Sequence, residues 1–116
     1  MSEATSEGVR VAAVGDVEPG YAIKVAAKSL GTSDDVAVFR DEDGTFYALD
    51  DTCSHQEASL ADGFIEDGQV ECPLHAAQFC LRTGNALCLP ATQPVATHRV
   101  EVRGEDVVLF PGQPAA

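Results

Sequence analysis

Three features of the sequence predict an all-β domain. Apolar residues come in short runs, several of them alternating with polar residues at the period of two that a half-buried strand requires. Turn-forming pairs punctuate the runs: Gly15-Asp16, Pro19-Gly20, Asp43-Gly44, Asp67-Gly68, Gly84-Asn85 and Gly104-Glu105. No stretch is long enough, with a helical period, to predict a helix.

Taken in order, residues 9–14 make a first strand that ends at the Gly15-Asp16 and Pro19-Gly20 turns. Tyr21, Ile23, Val25 and Ala27 then share one face, with Lys24 and Lys28 on the other, and residues 30–34 read as a loop. Residues 36–39 and 45–49 flank Asp41-Glu42-Asp43-Gly44, a four-residue connection that predicts a hairpin. A second hairpin is predicted where residues 64–66 and 69–72 bracket Asp67-Gly68, and a third where residues 78–82 and 86–88 surround Thr83-Gly84-Asn85. Pairing Arg82 with Ala86 sets Cys80 opposite Cys88. Leu89-Pro90-Ala91 reads as a rigid loop. In residues 97–103, His98, Val100 and Val102 lie on one face and Arg99, Glu101 and Arg103 on the other, which makes His98 a structural residue at the rim of the core. Gly104-Glu105-Asp106 turns the chain into a last strand at 107–110, and residues 1–8 and 111–116 are expected to be loose tails.

A length of 116 residues and 45% hydrophobic content suit a single domain, 1–116. Nineteen acidic residues against seven basic ones give a net charge of −12, which argues against nucleic acid or an anionic membrane surface as partner. A basic patch on a protein partner suits that charge, and so does solubility alone. No apolar run approaches the roughly twenty residues that span a bilayer, so the expected location is the cytoplasm, with no membrane contact.

The chemistry is concentrated in one stretch. Cys53-Ser54-His55 is followed, after sixteen residues, by Cys72-Pro73-Leu74-His75, so each of two segments pairs a thiolate with an imidazole. Thiolates are soft ligands for ferric iron or zinc and imidazoles are borderline ones, so the four residues can serve one tetrahedral zinc or the two irons of a cluster. Zinc fingers order their ligands like with like, as Cys-x2-4-Cys then His-x3-5-His, and this chain does not. A buried Cys pair with two satisfied histidines is the plain structural alternative. Cys80 and Cys88 fit no ligand position and read as small, partly buried hydrophobes in a reducing compartment, with a redox disulfide as the minor alternative.

The pattern Cys-x-His, a gap of sixteen, then Cys-x2-His resembles the Rieske [2Fe-2S] family. The resemblance implies that Cys53 and Cys72 bind one iron and His55 and His75 the other. It also implies the Rieske fold, an antiparallel β-sandwich or barrel base, residues 9–50 and 91–110, with an inserted small cluster-binding β subdomain, residues 51–90. The insert is too small for a large core of its own and is expected to depend on its metal for order. Pro90 matches the loop that covers the cluster in the family.

Respiratory members carry an extra loop disulfide, and a serine and a tyrosine that hydrogen-bond the cluster sulfurs. The matching positions here are Ala58 and Leu74, then Ala77 and Phe79, which form no bridge and offer no hydroxyl. Such bonds stabilise the more negative reduced state, so their absence implies a potential at the bottom of the family range, on the order of −150 mV. Two ferric ions and two sulfides sum to about +2, which two thiolates cancel, so the oxidised centre is near neutral. The outer nitrogens of His55 and His75 then carry protons that are more acidic in the oxidised state, and the potential falls with pH once they leave.

In aromatic-ring oxygenases the oxygen chemistry needs a further 2-His-1-carboxylate triad, and only His98 remains unassigned here, so the chain is not expected to be an enzyme. It looks like the Rieske-type ferredoxin of a multicomponent aromatic-ring dioxygenase system. That family likeness implies a one-electron carrier, with His55 and His75 as the electron's door. It takes electrons from a flavin-dependent NAD(P)H reductase and gives them to the terminal oxygenase. Docking is expected at a tip around His55, Gln56, Glu57, Ala76, Ala77, Gln78 and Pro90. The small Rieske-like subunit of an assimilatory nitrite reductase, and a zinc-stabilised interaction module, are the alternatives.

Overall fold

In the computed structural model the described residues are 8–30, 35–51, 59–72, 78–87 and 95–111, and among them nine strands form two antiparallel sheets. The larger sheet contains β1 (Val9–Ala13), β2 (Ala22–Val25), β3 (Val36–Arg40), β4 (Phe46–Asp50), β8 (Thr97–Arg103) and β9 (Asp106–Phe110). Its order is β1-β9-β8-β4-β3-β2. The smaller sheet has the order β5-β6-β7, from Phe64–Glu66, Gln69–Glu71 and Gln78–Cys80.

The large sheet curls around its own core. β8 pairs with β4 only through Thr97 and His98, then runs beside β9 from Arg99 to Arg103, so one strand turns the corner of a nearly closed barrel. Ala12, Val17, Val36, Val38, Ala48, Val107 and Leu109 are buried together inside it. β3 shows why its sequence, Val-Ala-Val-Phe, lacks alternation: both of its faces are covered. Val36 and Val38 face the barrel interior. Ala37 and Phe39 instead join Leu49, Leu60, Val70, Cys72, Phe79, Leu81 and Val95 in a second buried cluster, which ties the small sheet to the barrel wall. The small sheet therefore shares its core with β3 and β4.

The first two expected hairpins form. Arg40 pairs with Phe46 across a turn closed by the Gly44 N–H bond to the Asp41 carbonyl, 2.9 Å. Asp67 and Gly68 both take positive φ, 54° and 77°, as a two-residue hairpin turn requires, and Glu66 pairs with Gln69. The third hairpin has a different register from the one the sequence suggests. Phe79 bridges to Ala86, the Cys80 N–H donates to the Asn85 carbonyl and the Leu87 N–H to the Gln78 carbonyl. Arg82 therefore does not pair with Ala86, and Cys80 stands opposite Asn85 rather than Cys88. The turn itself is placed differently: the Gly84 N–H closes on the Cys80 carbonyl at 2.7 Å with Gly84 at φ 76°, while Leu81, buried in the shared core, carries the β6–β7 ladder one rung further by donating its N–H to the Gly68 carbonyl, 2.9 Å.

Three smaller differences have local causes. Residues Ala27–Leu30 form one turn of helix, α1, whose Ala27 N–H is held by the Asp35 carboxylate at 2.8 Å; the β2 ladder has already ended at Val25, opposite Val36. Tyr21, just before β2, is 64% exposed. Val102 is 49% exposed, beyond the short stretch where β8 pairs with β4. Among the described residues no helix is long and apolar enough to cross a membrane.

Candidate metal centre

Cys72 directly follows β6 and is buried, packed with Leu49, Leu60, Phe79 and Leu81 in the shared core. Cys53, His55 and His75 lie outside the described residues, as do Gln56, Glu57, Ala58, Leu74, Ala76, Ala77, Cys88 and Pro90. Among the described residues no three His, Cys, Asp or Glu side chains gather as a metal group. What the structure does describe is the footing of the segments 52–58, 73–77 and 88–94, which carry the remaining predicted ligands and Pro90.

Each footing is closed by hydrogen bonds. Asp51 holds the first: its carbonyl accepts from the Leu60 N–H at 2.7 Å, and its Oδ1 accepts from Ser59 Oγ at 2.8 Å and the Ala61 N–H at 3.0 Å. The second is the last rung of the β6–β7 ladder, Glu71 opposite Gln78. The third is closed by the Val95 N–H on the Gly84 carbonyl, 2.9 Å. The footings are also joined to one another. The Leu87 N–H donates to the Gln78 carbonyl at 2.7 Å and the Asp50 N–H to the Ala96 carbonyl at 2.9 Å, while Leu60 and Cys72 share one core.

The donor chemistry fits a thiolate-bound iron cluster. A thiolate kept out of water among apolar side chains is costly unless a cation neutralises it, and Cys72 occupies such a place at the start of the segment that carries His75. Phe79 is wholly buried in the same cluster and presents only hydrocarbon. His98, 5% exposed, places its Nε2 2.7 Å from Asp50 Oδ1, so it supports the end of β4 as a core residue. Sequence reasoning did not single out Asp50 as its partner, nor Asp51 as the clamp on the first footing. The visible signal was an acidic pair, Asp50-Asp51, closing an apolar strand two residues before a predicted ligand.

Cys80 is a free, half-buried thiol. Burial pushes it up, but the hydroxyl and backbone of Thr83, the backbone of Arg82 and the Arg82 charge outweigh burial and hold it below the usual thiol range. More of it is therefore thiolate at neutral pH than in an ordinary cysteine. At pH 7 iodoacetamide is expected to modify Cys80 well ahead of Cys72, and Thr83→Ala to slow that reaction; peptide mass spectrometry under native conditions reads both.

Residues 7–99 match the family described as the Rieske [2Fe-2S] domain. The 3-phenylpropionate/cinnamic acid dioxygenase ferredoxin subunit of Escherichia coli (strain K12) is 50% identical over 97 residues, 83% of this chain and 86% of the relative. A solved ferredoxin of carbazole 1,9a-dioxygenase from Nocardioides aromaticivorans IC177 superposes with a TM-score of 0.79 at 36% identity, over 90% of this chain and 97% of that one. A chain of the solved complex of reduced oxygenase and oxidized ferredoxin in carbazole 1,9a-dioxygenase gives 0.81 at 31% identity, over 93% and 95%.

Proposed function

The chain belongs to the Rieske [2Fe-2S] domain family, and from that membership we propose that it is the ferredoxin of an aromatic-ring dioxygenase system, with Cys53 and Cys72 on one iron and His55 and His75 on the other. It is an electron carrier and not itself the catalyst. The single observation that carries the reading is the 50% identity to a dioxygenase ferredoxin subunit across most of both chains.

When bound, a [2Fe-2S] cluster takes up and gives back one electron at a time. The chain's own contributions are separable. Cys72, buried at the end of β6, keeps one ligand sulfur away from water. Phe79, with no hydroxyl to donate, leaves the reduced state without that stabilisation and favours a low potential, on the order of −150 mV. Potentiometric titration of the purified protein is expected to place the midpoint below zero.

Electrons are proposed to arrive from a flavin-dependent NAD(P)H reductase and leave to the terminal oxygenase, both docking in turn at a tip made by His55, Gln56, Glu57, Ala76, Gln78 and Pro90. Of these Gln78 is described, at the start of β7. Dependence on the nicotinamide pool favours a cytoplasmic location. The net charge of −12 favours partners with basic docking faces, in small and brief contacts of the kind redox pairs use. Glu57→Lys is expected to slow transfer several-fold at low salt, with an effect that shrinks as salt rises, and to leave the midpoint almost unchanged. A stopped-flow salt series against the reductase checks this.

The test of the whole reading is reconstitution. Purified protein is expected to carry iron and acid-labile sulfide in equal amounts, to give the electron paramagnetic resonance signal of a reduced mixed-ligand cluster, and to restore NAD(P)H-dependent turnover to a reductase and oxygenase pair. Colourless protein with stoichiometric zinc overturns it.

A further inference from the structure

The geometry points to Asp51 as a positioning residue, one that ties together the residues flanking segment 52–58, the segment to which the proposed ligands Cys53 and His55 belong. The inference rests on the ligand assignment proposed above and adds to it a residue that binds no metal.

Asp51 is only 4% exposed, and every polar contact it makes ties one end of the segment to something rigid. Its N–H donates to the Asp35 carbonyl at 2.8 Å, which fixes it beside the start of β3. Its carbonyl and its Oδ1 then take three donors from the far end: the Leu60 N–H at 2.7 Å, Ser59 Oγ at 2.8 Å and the Ala61 N–H at 3.0 Å. Leu60, held in this way, is packed in the same buried cluster as Cys72. One continuous path therefore runs from the footing of the first ligand segment, through Asp51 and Leu60, to the ligand at the start of the second.

Closing a short segment costs chain entropy, and a carboxylate that meets that cost in the folded framework spares the metal from meeting it. Burying a carboxylate is itself unfavourable unless donors reach it, and two donors, Ser59 Oγ and the Ala61 N–H, offset that cost at Asp51. Both side-chain donors reach the same oxygen, Oδ1. An asparagine can present a carbonyl oxygen at that point, whereas an alanine cannot. Asp41 is the natural control, being 8% exposed and likewise buried, but its Oδ1 accepts from Gly68, at the turn of the β5–β6 hairpin rather than at a ligand segment.

The experiment compares Asp51→Ala, Asp51→Asn, Ser59→Ala and Asp41→Ala with the wild type. In the loaded protein it follows iron release to a chelator and the g-values of the reduced cluster, and in the metal-free protein the amide exchange of Leu60 and Ala61. Asp51→Ala is expected to release iron at least about ten-fold faster, to shift the g-values and to speed exchange at both amides, with Asp51→Asn within about three-fold of wild type. Asp41→Ala is expected to lower the melting temperature without moving the g-values. Wild-type release and g-values in Asp51→Ala, or equal acceleration by Asp41→Ala, overturn the proposal. If Asp51→Ala does not fold, Ser59→Ala, which removes one donor, is expected to speed release about five-fold, and no change there overturns it equally. A wild-type protein that holds no iron sinks the ligand assignment instead, and amide exchange in the metal-free variants still decides for or against the clamp.

Discussion

Cys72→Ala is expected to abolish the visible spectrum and reduce electron transfer to below about one per cent of wild type, while the β framework stays folded. Removing one of two thiolates leaves an iron with too few soft ligands, and the loss is larger than the roughly 10- to 100-fold that follows from disturbing a group behind a ligand. The fold survives because Cys72 sits at the edge of a core whose bulk comes from Phe39, Leu49, Leu60, Phe79 and Leu81. Taking a sulfur from that core costs about 1–2 kcal/mol, a minor part of the 5–15 kcal/mol typical of a domain. Absorption spectroscopy, labile sulfide content and far-ultraviolet circular dichroism on the same sample check the two halves. A coloured, cluster-bearing variant refutes the assignment of Cys72, and an unfolded one refutes the account of the core.

The largest loss of stability is expected from Gly84→Ala. Gly84 has φ of +76°, where a side chain is strained, and a Cβ added there lies 2.1 Å from the Val95 carbonyl oxygen, a backbone atom that cannot swing aside. Relief requires moving the strand entrance at Val95 and breaking its 2.9 Å bond to the Gly84 carbonyl. Strain, overlap and the lost bond together amount to about 3–5 kcal/mol, or a fall of more than about 10 °C in melting temperature. Gly20, at φ +87° with open space around it, supplies the strain without the overlap, and Gly20→Ala is expected to cost about 1 kcal/mol. Parallel thermal melts decide whether the contact or the dihedral dominates.

Where local chemistry decides the structure, the sequence was legible. The Asp41–Gly44 and Asp67–Gly68 turns carry their hairpins in their own residues, and the alternation of residues 97–103 coincides with the bounds of β8. Where a distant contact decides, it was not. Nothing in residues 78–88 says that Leu81 will extend the β6–β7 ladder to the Gly68 carbonyl from within the shared core, with the turn closing at Cys80 and Gly84, so the register came out wrong and with it the facing of Cys80 and Cys88. Tyr21 and Val102 obey the alternation yet remain exposed, because period alone does not say how far a covering layer extends. For the candidate site, the ligand spacing identified the family and the chemistry. The supports were hidden, since Asp51 and the His98–Asp50 contact depend on which strands lie side by side. Cys53, His55 and His75 lie outside the described residues, so their arrangement rests on spacing and kinship.

The double burial of β3 has a consequence for how the protein matures. With Val36 and Val38 sealed into the barrel and Ala37 and Phe39 sealed beneath the small sheet, the two sheets are joined by side chains of the protein alone. Iron-free protein is therefore expected to keep the circular-dichroism signature of its β framework, so that loading adds the cofactor to a chain that has already collapsed.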